Sequence, residues 1–88
     1  MDEPWDARGA VARIVACDPT ELSYRHEFDR GADLTVYERD GQPVGRLIVA
    51  GPIAPLDNTP DRYYEIVFEG VDGSMHHFER VRDTGINY

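Results

Sequence analysis

Lysine is absent from this chain: all nine basic residues are arginine, set against seventeen acidic ones. The net charge of -8 on 88 residues opposes binding to phosphate backbones and anionic membrane surfaces, so direct nucleic-acid or membrane partners are not expected. The missing lysine itself fits the usage of a GC-rich coding sequence, in which Ala, Gly, Asp, Val and Pro abound. Cysteine is scarce as well. Cys17 stands alone, which rules out an internal disulfide and with it a disulfide-stapled secreted scaffold. No apolar run approaches the ~18 residues of a membrane span, and no charged segment leading into an apolar one follows Met1. A cytoplasmic protein is the expectation.

Helical periodicity is also lacking, since no stretch repeats apolar residues at i, i+3, i+4 and i+7 over three turns. What the chain has instead is β-branched and aromatic runs broken by turn residues. Two Asp-Gly pairs, Asp40-Gly41 and Asp72-Gly73, each lie between such runs and mark hairpins, because Asp-Gly accepts positive φ at little cost. Six strands are predicted: 10–17, 21–28, 34–39, 44–50, 62–69 and 75–82. The second is the cleanest alternation, with Leu22, Tyr24, His26 and Phe28 on one face and Glu21, Ser23, Arg25 and Glu27 on the other. The fold class is therefore all-β, an antiparallel meander of about six strands forming a small barrel or a two-layer sandwich. One domain spans 1–88, with 1–8 as a flexible leader from which Trp5 folds back and 84–88 as a tail.

Turn chemistry predicts the registers. Pro43 cannot donate to a ladder, which favours a four-residue turn at 40–43 pairing Val36 with Leu47 and placing Tyr37 opposite Arg46 on the outer face. In the second hairpin, a three-residue loop at 71–73 with Gly73 in a bulge pairs Ile66 with Phe78 and Phe68 with His76. Gly45, inside a strand, is expected to tolerate alanine, whereas Gly73 at positive φ is not expected to tolerate valine. The segment 51–61 holds three prolines and reads as the one long loop, a connection or an interaction surface.

Catalytic patterns are sparse. Neither serine lies in a G-x-S-x-G elbow, no glycine-rich phosphate loop opens a helix, and Cys17 reads as a small hydrophobe. His26 with His76 or His77 is the sole metal-site combination to weigh, in a cupin-like or ligand-binding barrel; His76 and His77 point to opposite faces and cannot share an ion. No cofactor and no metal are expected. The leading expectation is a non-enzymatic acidic module that binds a basic protein, most concretely an inhibitor imitating nucleic acid before a nucleic-acid-handling protein. Asp57, Asp61, Glu65, Glu69 and Asp72 supply the charge, with Tyr63 and Tyr37 as aromatic contacts. An assembly subunit pairing through an edge strand, including with its own copy, is the third reading.

Overall fold

The computed structural model describes residues 3–29, 32–53 and 61–88. Five long strands form one antiparallel sheet in meander order: Leu22–Asp29 (β2), Ala32–Arg39 (β3), Gln42–Ile53 (β4), Tyr63–Gly70 (β5) and Met75–Arg82 (β6). A second, two-stranded parallel sheet joins Trp5–Asp6 (β1) to Ile86–Asn87 (β7). The mostly-β meander follows from the alternating runs and their turns. The sheet does not close into a barrel, because β2 and β6 remain edges. The segments read as leader and tail thus meet each other, with the Trp5 ring edge-on to Phe78 at 5.0 Å.

The strand expected over 10–17 is instead the end of a helix, Ala7–Val15 (α1). Its apolar face begins earlier than the strand window did: Ala7, Val11 and Ala12 are buried, and Ile14 and Val15 pack beside them. That is the i, i+4, i+7, i+8 spacing of a helix face. Asp6 caps the first turn, its carboxylate accepting the Gly9 N–H at 3.0 Å, and Ala16 ends the helix in a left-handed conformation at φ 55°. Alanine and arginine have high helix propensity, and tertiary burial of a small-residue face secures the choice. A 3-10 turn over Pro19–Glu21 follows, closed by a capping box between Asp18 and Glu21.

Strand pairing runs across the whole sheet in rows. His26, Thr35, Leu47, Phe68 and His76 make one row on the helix side; Tyr24, Tyr37 and Gly45 begin the next. The core lies between this face and α1, where Ala7, Val11, Ala12, Leu22, Tyr37, Leu47, Ile66 and Phe68 cluster. The second hairpin has the expected register, Ile66 opposite Phe78 and Phe68 opposite His76, with Gly73 at φ 86°. The first differs. Asp40 and Gly41 both take positive φ, 53° and 77°, which closes a two-residue turn of the mirror-image kind that suits strand twist. Tyr37 then faces Gly45 while Glu38 faces Pro43, so Val44 is an extra, bulged residue. Pro43 sits where the bulge needs no ladder bond, and the slip turns Tyr37 inward.

That slip also overturns the expectation for Gly45. The Phe68 ring lies on the strand where a side chain would stand, and a β-carbon at Gly45 would collide with Phe68 Cζ and approach the Glu69 carbonyl oxygen to 2.6 Å. In the long segment, 51–53 continue β4, while 54–60 lie outside the described residues.

Candidate interaction site

Alternation along β5 points Tyr63, Glu65, Val67 and Glu69 away from α1 and the core residues Ile66 and Phe68 towards it. The ladder carries this face across the sheet: Glu27, Leu34, Ile48, Val67 and His77 form one row, and Arg25, Val36, Arg46, Glu69 and Met75 the next. Leu34 and Val36, both buried, and Ile48 and Val67, both half-buried, thus make an apolar stripe on the central strands with charges to either side. None of these four belongs to the cluster packed under α1. Among the described residues, no helix or strand lies over this face.

The predicted contact residues divide three ways. Tyr63, Glu65 and Glu69 are brought together on this face, and Asp61 precedes them on the same chain. Tyr37 is removed from it: the residue is fully buried, and its hydroxyl donates towards the Tyr88 carbonyl oxygen at 3.4 Å. Burial pushes the Tyr37 phenol well above its ordinary pKa, and a side chain with no exposed surface gives a partner nothing to touch. Asp72 lies at the hairpin tip, and Asp57 falls outside the described residues.

Several acids are already engaged within the chain. Arg46 reaches Glu69 at 3.2 Å and Arg82 reaches Asp61 at 3.3 Å. Arg25 binds both Glu27 and Glu38. Such exposed pairs contribute little stability. Glu65 is exposed between them.

Asp72, Ser74 and His76 form a serine, histidine and carboxylate set that sequence reading missed, and the order of its bonds decides its chemistry. The Ser74 hydroxyl donates to Asp72 Oδ1 at 2.6 Å, and the same carboxylate oxygen accepts the Ser74 N–H at 3.0 Å. His76 Nε2 lies 3.1 Å from the Ser74 oxygen. Because a hydroxyl has one proton and Asp72 takes it, His76 must donate to Ser74 and is not placed as its base. In a nucleophilic triad the carboxylate holds the histidine instead. The set is a turn cap. The Ser74 hydroxyl bond, followed by its backbone bond, lowers the Asp72 pKa.

Histidine pairing for a metal is also settled by topology. His26 and His76 share a row but occupy opposite edge strands, four strand spacings apart, or roughly 19 Å. His77 faces the other side. His26 instead bonds Thr35, Nδ1 to Oγ1 at 3.0 Å, and stands edge-on to Tyr88. Among the described residues, no three His, Cys, Asp or Glu side chains gather as metal ligands, and no helix is long and apolar enough to cross a membrane.

Comparison with protein families, curated proteins and solved structures yields no match. Geometry alone therefore carries the functional argument.

Proposed function

We propose that this chain is a non-enzymatic protein-binding module that docks a basic protein on the sheet face bearing Leu34, Val36, Ile48 and Val67. The observation that supports this reading is an apolar stripe flanked by charged side chains, of which Ile48 and Val67 keep exposed surface over the buried Leu34 and Val36. Apolar centres with polar rims are the anatomy of protein interfaces. The choice of occupant follows from charge. A second copy would bring another -8 against the first, whereas a basic partner gains from the acidic excess and meets Arg25 and Arg46 already paired with glutamates. A nucleic-acid-mimicking inhibitor is the most concrete form of such a module. The open edges β2 and β6 keep strand pairing as the alternative mode.

The test is affinity capture from a native lysate with the natural chain, Val67→Asp and Arg13→Glu, followed by association kinetics at two salt concentrations. A basic protein should be captured by the natural chain and by Arg13→Glu, lost with Val67→Asp, and slower to associate at high salt. Capture indifferent to both salt and Val67→Asp would remove the proposal.

A further inference from the structure

On the opposite face, beside edge strand β2, lies a cleft of about 340 Å³ lined by His26, Phe28, Asp33, Thr35, Val49 and Tyr88. Its composition is unusual for so acidic and thinly cored a protein. Phe28 is 81% exposed, although its strand position is on the helix side, because α1 does not extend over this corner. Tyr88 stands perpendicular to His26 at a centroid distance of 4.9 Å, and Tyr24 backs His26 at 5.4 Å. Aromatic rings therefore form two sides of the cleft.

The floor between them carries one negative charge. Asp33 is paired directly with Phe28 across β2 and β3, is exposed, and adds its charge to the burial that chiefly pushes the Tyr88 phenol up. Among the described residues no arginine lines the cleft, and Asp33 makes no ion pair with any of them. The neighbouring surface shows what these rings accept. Immediately behind, the Arg8 guanidinium sits 5.6 Å from the Tyr24 ring centre, and Arg8 Nε donates to the Tyr88 carbonyl oxygen at 3.1 Å. One organic cation is thus already held on the rear of the cluster.

We infer that the cleft between Phe28 and Tyr88 binds an organic cation head group, a quaternary ammonium above all, with the rings enclosing it and Asp33 balancing its charge. Ring faces attract such a cation through their quadrupole, and the methyl groups of a quaternary ammonium are easily desolvated against them. The Asp33 carboxylate, which pairs with no arginine among the described residues, supplies the remaining attraction. This site is on the other side of the sheet from the stripe proposed above, and it stands or falls separately.

The experiment is an NMR titration of the intact chain with choline, with its uncharged isostere 3,3-dimethylbutan-1-ol, and with a peptide carrying trimethyllysine. Choline or the peptide should give saturable shifts at Phe28, Tyr88 and His26, with the isostere weaker by about five-fold or more. Tighter binding of the peptide assigns a side-chain source; tighter binding of choline assigns a free ligand. Asp33→Asn and Phe28→Ala, both at exposed positions, should each weaken binding at least about five-fold, while Val67→Asp leaves it unchanged. Equal affinity for the isostere, shifts centred elsewhere, or no saturable shift with either cation would overturn the inference.

Discussion

Gly45 is the residue at which one methyl group has the largest consequence for packing. The ring it would strike, Phe68, is fully buried, and the other close neighbour is backbone, the Glu69 carbonyl. Neither can step aside without disturbing the core. Gly45→Ala should therefore cost about 1–3 kcal/mol as an overpacked site. Gly73→Ala meets open space and loses only the ease of positive φ, about 1 kcal/mol. Urea midpoints at constant slope test the order, and a smaller loss at Gly45 than at Gly73 would refute the packing assigned to Phe68. Tyr37 owes its burial to the same place. Opposite a residue with no side chain, it gains the room to lie under α1.

Turns and caps set the behaviour of the elements towards acid. Asp72 closes the β5–β6 hairpin through Ser74, and Asp18 closes the 3-10 turn through the Thr20 N–H and hydroxyl. Both carboxyls are held below their ordinary pKa, Asp72 chiefly by the Ser74 hydroxyl and Asp18 chiefly by the Thr20 backbone. A group whose folded pKa is depressed contributes stability above its unfolded pKa and loses it as pH falls through the folded value. The contribution is thus complete at neutral pH and declines below about pH 4. Ser74→Ala should lower stability at pH 7 yet flatten the loss between neutral and acid conditions, as read from urea midpoints at several pH values. A parallel downward shift at every pH would show that the Asp72 bond is not the cause. Helix α1 adds its own cap: Asp6→Ala should cost about 1 kcal/mol through the orphaned Gly9 N–H.

At the scale of the molecule, β1 and β7 tie the beginning and end of the described chain together beside the helix. Trp5, the single tryptophan, rests on Phe78 of β6, and the Trp5 backbone N–H donates to the Gly85 carbonyl at 3.0 Å. Its fluorescence should therefore report the global transition. Tryptophan emission and far-UV circular dichroism are expected to give coincident denaturation curves, as two-state unfolding requires. An earlier fluorescence transition would mean that the clasp frays independently of the sheet. Self-repulsion at -8 further predicts a monomer at low ionic strength by light scattering.

The sequence by itself determined the five long strands, the β class and the second hairpin, because period-two alternation and a glycine at positive φ are local properties. Phe68 opposite His76 followed from weighing the burial of Ile66 against Phe78 above the exposed ion pairs that a two-residue turn would form. It did not determine α1, whose Ala-rich stretch reads as a strand until the sheet buries Ala7, Val11 and Ala12 together. Nor did it determine the first hairpin's register: a two-residue turn plus a bulge and a four-residue turn both suit Asp40-Gly41-Gln42-Pro43, and the fit of Phe68 over Gly45 chose between them. The candidate contacts divide along the same line. Tyr63, Glu65 and Glu69 share a face because alternation within one strand guarantees it, whereas Tyr37 changed sides with a one-residue slip. The cleft of Phe28, Asp33 and Tyr88 is assembled from two strands and a segment 55 positions beyond Asp33, so only tertiary folding brings an aromatic pair and this carboxylate together.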